Sequence, residues 1–166
     1  MKNIYLIGFM GTGKTSVARE LAKQKEMTFV DLDDLMEIKE GLAITEIFAQ
    51  KGETYFRDSE KKILVGVSRN DFQIISCGGG IVMDKDNIVL MKNTGIMVCL
   101  SARPEVILTR TKNYGHRPLL NVDNPVNKIK ELLKERSHFY ALADYNIDTS
   151  DISLKEVVKK VSELIV

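Results

Sequence analysis

Eight residues near the amino terminus, Gly8-Phe9-Met10-Gly11-Thr12-Gly13-Lys14-Thr15, constrain this chain more than any other stretch. They satisfy G-x-x-x-x-G-K-[ST], the pattern of a loop whose backbone N–H groups turn inward around phosphate. The glycines permit that close approach. Lys14 brings a point charge to the β- and γ-phosphates, and the Thr15 hydroxyl is placed to reach Mg²⁺. Such a loop needs a strand before it and a helix after it. Ile4, Leu6 and Ile7 form a short apolar strand directly upstream, and Val17, Ala18, Leu21 and Ala22 recur at helical spacing directly downstream. The helix then turns its positive end toward the phosphates.

The same alternation continues along the chain. Apolar runs at Ile4–Ile7, Thr28–Val30, Phe72–Cys77, Ile96–Leu100 and, more weakly, Tyr145–Ile147 read as strands. Segments near 15–25, 53–68, 85–92, 104–111, 126–142 and 153–164 read as helices, the last with Ser153 as a possible N-cap. This order predicts an α/β fold, a parallel sheet covered on both faces, with ligands at the carboxyl ends of the strands. The helical stretch 32–69 stands between the second and third strands as an insertion suited to capping a second substrate. The segment from Lys112 to Pro125 reads as a loop long enough to act as a lid.

A chain of 166 residues suits one domain. Its formal net charge of +1 offers no bulk attraction to nucleic acid or to a membrane surface. No run approaches the ~18 apolar residues of a membrane-spanning helix. The apolar amino-terminal stretch runs straight into the phosphate loop, unlike a signal peptide. Cys77 and Cys99 each end an apolar run without metal or C-x-x-C spacing, and read as buried free thiols in a reducing cytoplasm. His116 and His138 are too isolated for a metal site.

Several polar residues sit where a bland reading and a chemical one compete. Asp31 closes the second apolar run, so it is either the carboxylate beside the metal ion or the cap of the next helix. Asp33 follows two residues later. In an extended segment it points the same way as Asp31 and can receive a proton from an attacking hydroxyl. Asp34 reads as a cap or surface charge. Arg57 and Glu60 are helical neighbours, with Glu60 in register with Phe56, Ile63 and Val67 on an apolar face. Arg136 lies on the inward stripe Val126, Ile129, Leu133, Arg136, Tyr140, where a guanidinium wants an anion. Two inward arginines suggest a bidentate grip on a substrate carboxylate. Gly78-Gly79-Gly80 follows a strand and is either a tight turn or a set of exposed N–H donors. Arg117, in the long loop, is either a solvated charge or a lid arginine that closes on transferring phosphate.

Taken together, Gly8–Thr15, Asp31-Leu32-Asp33, Phe56-Arg57-Asp58-Ser59-Glu60, Gly78-Gly79-Gly80, Arg117-Pro118-Leu119-Leu120 and Glu135-Arg136 ahead of Tyr140 resemble the shikimate kinase family over nearly the whole chain. The resemblance implies a three-layer P-loop kinase fold with a five-stranded parallel sheet, a substrate-binding insertion at about 32–69 and a lid at about 112–125. It implies ATP- and Mg²⁺-dependent phosphorylation of the 3-hydroxyl of shikimate, by a cytoplasmic monomer without nucleic-acid or membrane partners. By matching position, Asp33, Arg57, Gly79 and Arg136 would bind shikimate, with Gly80 close by. Gly11, Thr12, Gly13, Lys14, Thr15 and Ser16 would bind ATP, with Arg110 stacked near adenine. Thr15 and Asp31 would serve Mg²⁺, and Lys14, Asp33 and Arg117 would carry catalysis.

Three rivals stand beside this reading. A gluconate kinase also phosphorylates a hydroxylated carboxylate. A GTPase would want Asn-Lys-x-Asp, but Asn127-Lys128 continues as Ile129-Lys130. A decayed, non-catalytic binder would be expected to lack some of Lys14, Asp31, Asp33 and Arg117, which are all present.

Overall fold

The five apolar runs become the strands of one parallel sheet. The computed structural model describes residues 2–112, 120 and 122–165. In chain order its elements are β1 (Asn3–Ile7), α1 (Lys14–Lys25), β2 (Thr28–Asp31), α2 (Leu32–Glu40), α3 (Ile44–Val67), β3 (Gln73–Ser76), a 3-10 turn (Ile81–Met83), α4 (Lys85–Thr94), β4 (Gly95–Ser101), α5 (Pro104–Thr111), α6 (Pro125–Tyr140), β5 (Tyr145–Asp148) and α7 (Leu154–Leu164). The strand order is β2-β3-β1-β4-β5. Ile4 of β1 pairs with Ile74 on one side and Ile96 on the other.

Alternation along β1 sets the layers. Ile4 and Leu6 enter one core with Val17 and Leu21 of α1 and Val157, Val158 and Val161 of α7. Tyr5 and Ile7 enter the other, with Leu64 of α3, Met91 of α4, Ile107 of α5, and Ile129 and Leu132 of α6. A third, smaller cluster of Met36, Ile47 and Phe56 joins α2 to α3. Ser153 caps α7 in a reciprocal box with Glu156.

Element limits depart from the sequence expectation at two places. The third strand starts at Gln73, because Phe72 adopts a left-handed conformation (φ 60°) that ends the preceding turn. The helix expected from residue 53 extends back to Ile44, interrupted at Gly52 (φ 81°, ψ 170°). Across that break the Glu40 carboxylate accepts hydrogen bonds from Lys51 Nζ at 2.6 Å and from the Tyr55 hydroxyl at 3.0 Å, fastening the two arms.

Candidate active site

The phosphate loop hangs from the carboxyl end of the central strand. Gly8 there has φ 134°, and the Leu100 carbonyl oxygen fills the space a side chain would take, so only glycine fits. Thr12 is buried and its hydroxyl donates to the Phe9 carbonyl at 2.8 Å, pinning the loop to itself. Lys14 Nζ donates to the Gly8 and Phe9 carbonyls at 2.8 and 2.9 Å, which holds the ammonium across the mouth of the loop. Gly13 caps α1 without a side-chain bond, so the first-turn N–H groups are available to an anion. The loop borders a cavity of about 690 Å³, lined also by Ser16, Asp33, Ser76, Gly78, Gly79 and Arg110.

At one corner of this cavity three oxygens converge. Thr15 Oγ1 donates to Asp31 Oδ2 at 2.8 Å and lies 3.1 Å from Ser76 Oγ. Asp31 bears out the cap reading, its Oδ1 accepting from the Asp33 and Asp34 backbone N–H groups at the start of α2, while Oδ2 faces Thr15. Ser76 escaped the sequence reading. Its signal was a hydroxyl at the end of an apolar strand, and the register places it beside Asp31. Among the described residues no three His, Cys, Asp or Glu side chains cluster. A carboxylate beside hydroxyls fits a hard cation that keeps most of its waters.

Asp33 does not share an extended segment with Asp31. The chain turns helical at Leu32, so Asp33 lies in the first turn of α2 and not in an extended segment on the same face as Asp31. It still lines the cavity, because α2 starts at the strand end.

On the far side, the triple-glycine turn meets two arginines and a carboxylate. The Arg57 guanidinium lies where a side chain on Gly80 would begin. Arg136 Nη1 is 3.5 Å from the corresponding point on Gly79. Glu60 Oε1 occupies that place at Gly78. A methyl group at Gly80 would therefore displace Arg57. Arg57 Nη1 pairs with Glu60 Oε2 at 2.9 Å. Arg57 also borders a second cavity of about 370 Å³ with Glu53, Asp58 and Asn87.

Arg136 is only 3% exposed, and its guanidinium carbon stands 5.7 Å from the Phe9 ring centroid. The Nε atoms of Arg57 and Arg136 and Oε1 of Glu60 are buried without a hydrogen-bond partner among the described residues. Burial raises the Glu60 carboxyl above its ordinary range, with Arg57 opposing the rise. Tyr140 donates to the Gly79 carbonyl at 2.6 Å. Burial pushes its hydroxyl up to about 12, partly opposed by Arg136.

Arg110 closes the opposite rim. It donates to the Thr149 carbonyl at 2.8 Å, the Thr149 hydroxyl at 3.0 Å and the Gly11 carbonyl at 3.3 Å. Arg117 and most of the expected lid lie outside the described residues. Both cysteines are buried and free; burial holds the Cys99 thiol at about 11 and Cys77 well above its usual value, so neither supplies a thiolate nucleophile.

Comparison with known proteins agrees with this geometry. The shikimate kinase family model matches residues 10–166. A shikimate kinase of Caldanaerobacter subterraneus subsp. tengcongensis is 46% identical over 97% of this chain and 94% of its own. The structure of shikimate kinase from Acinetobacter baumannii in complex with shikimate superposes with a TM-score of 0.95 at 37% identity, covering 99% of this chain and 93% of that one. A gluconokinase from Sinorhizobium meliloti shares the fold alone, at 16% identity and a TM-score of 0.59 over 99% of this chain and 93% of its own.

Proposed function

Because this chain belongs to the shikimate kinase family, we propose that it transfers the γ-phosphoryl group of ATP to the 3-hydroxyl of shikimate, giving shikimate 3-phosphate and ADP. The observation that carries the reading is the meeting of two arginines with successive glycines directly beside the phosphate loop. Shikimate is a small ring bearing one carboxylate and three hydroxyls. Arg57 and Arg136 suit the carboxylate, since a guanidinium presents paired donors to a planar anion. Arg136 is the stronger anchor: it is buried and forms no ion pair with an acid among the described residues, whereas Arg57 is partly neutralised by Glu60.

The residue roles are those the family resemblance implies, and the chemistry of each side chain supports them. Gly79 and Gly80 offer backbone donors to the acceptor. Asp33, on the cavity wall, orients the attacking hydroxyl and takes its proton. Gly11 to Ser16 cradle the phosphates through N–H groups, and Lys14 swings from the Gly8 and Phe9 carbonyls to the phosphates when ATP enters. Arg110 flanks the adenine, and Arg117 closes the lid over the transferring group. Thr15 directly, with Asp31 and Ser76 behind it, would hold Mg²⁺, which when bound neutralises phosphate charge. Phosphoryl transfer asks for positioning and charge stabilisation, which these groups supply.

The finer organisation is one domain with α2–α3 as the acceptor-binding insertion and the 112–125 segment as lid. No helix among the described residues is long and apolar enough to cross a membrane. Exposed large apolar side chains such as Ile38 of α2, Val89 of α4 and Leu154 of α7 lie on separate elements, which suits a monomer. ATP consumption with shikimate, gluconate and no acceptor is the test. Mg²⁺-dependent turnover with shikimate and little with gluconate is expected; equal rates, or none with shikimate, would sink the assignment.

A further inference from the structure

Gly79 sits where three parts of the site meet. A side chain there would begin 3.4 Å from the Gly8 carbonyl oxygen, 3.5 Å from Arg136 Nη1 and 3.6 Å from the Met10 nitrogen. Three consecutive glycines have wide conformational freedom, so the turn holds no single shape through its own sterics. Ile81 N–H to the Gly78 carbonyl closes the turn across Gly79 and Gly80, and Met83 N–H to the Gly80 carbonyl secures the helical turn that follows; neither bond engages the peptide between Gly79 and Gly80. The Gly79 carbonyl is held from outside the turn, by the Tyr140 hydroxyl at 2.6 Å.

We infer that Tyr140 is a positioning residue for the acceptor: by holding the Gly79 carbonyl it fixes the plane of the Gly79–Gly80 peptide and so aims the Gly80 N–H. The inference rests on the shikimate reading above. A trans peptide is planar, with its carbonyl and the following N–H pointing in opposite directions. The described chain contains no cis peptide. With the carbonyl tied toward α6, the Gly80 N–H is turned away from α6. Tyr140 stands four residues after Arg136 on the buried stripe of that helix, so one rigid element sets both the guanidinium and the peptide. Both residues are nearly inaccessible, at 7% and 3% exposure, which suits a fixed scaffold. Burial keeps the Tyr140 proton in place through the neutral range, so the donor persists.

Tyr140→Phe retains the ring and removes the donor. The KM for shikimate should rise about five- to tenfold, the range expected for one buried hydrogen bond. The KM for ATP should stay within about twofold, because the phosphate loop is pinned by its own bonds. An unchanged shikimate KM, or both KM values rising together with a lowered melting temperature, would overturn the inference. A second variant carries 3,5-difluorotyrosine at 140, whose hydroxyl ionises at lower pH. Its affinity for shikimate should weaken as pH rises through that ionisation while the wild type stays flat; a flat profile would also overturn it. Direct titration of wild type with shikimate separates the two levels. Wild-type binding that survives undiminished in both variants removes Tyr140 from the account and leaves the reaction standing. Absence of wild-type binding removes both.

Discussion

Single atoms of Asp31 divide two tasks, and that division can be tested residue by residue. Oδ1 caps α2 and Oδ2 faces the Thr15 hydroxyl. Asparagine caps helices about as well as aspartate. Asp31→Asn should therefore keep the wild-type unfolding free energy to within about 0.5 kcal/mol, while raising the Mg²⁺ concentration needed for half-maximal activity. Asp31→Ala should lose about 1 kcal/mol of stability as well. Equal destabilisation by both would mean the cap is not what Oδ1 contributes. Glu60 gives a prediction with pH. Its folded carboxyl is raised by burial, so the folded state keeps its proton to higher pH than the unfolded chain. Its contribution is fullest below the ordinary carboxylate value and declines as pH rises through the raised one. Urea unfolding across that window should show wild type losing stability more steeply than Glu60→Gln; parallel curves would contradict it. At this scale the sequence disclosed charges better than hydroxyls. A buried arginine or an acid after a strand stands out against apolar neighbours. Ser76 looks like any strand-end serine until the register sets it beside Asp31.

Elements were legible where their periodicity was unbroken. The limits of α1, α4, α5 and α6 fall within two residues of the apolar pattern. The arm before Gly52 was less so, because a glycine with φ 81° breaks the helix, and its closure depends on Glu40 reaching Lys51 and Tyr55 from another helix. Asp33 illustrates the same limit. A two-residue spacing implies one face only if the segment stays extended, and the cap reading of Asp31 already placed the helix start at Leu32, against that assumption. The triple-glycine turn makes its prediction as an element. Its lack of side chains admits Glu60, Arg136 and Arg57 to successive positions. Gly80→Ala forces the flexible end of Arg57 aside and leaves the strand intact. Shikimate affinity should fall by more than about tenfold (~1.4 kcal/mol), with ADP affinity unchanged. Equal loss of both, measured by titration calorimetry, would place the turn in the nucleotide site instead.

At the scale of the described molecule, one parallel sheet carries the phosphate loop, Asp31 and the triple-glycine turn at the carboxyl ends of β1, β2 and β3. ADP at a hundred times its Kd should raise the unfolding free energy by about 2.7 kcal/mol. Scanning calorimetry should show that gain in one transition; an early transition insensitive to ADP would mean that the α2–α3 arm melts by itself. The placement of β1 between β3 and β4 has one more consequence. Residue 4 finds its partners only at residues 74 and 96, so the first strand synthesised waits for two much later segments before both its edges are paired. Large chain closures must precede any local reward, which slows folding. A nascent chain released before Gly95 lacks the β4 partner of β1 and the Leu100 carbonyl packed beside Gly8, and such fragments should not be retained on an ADP-linked resin.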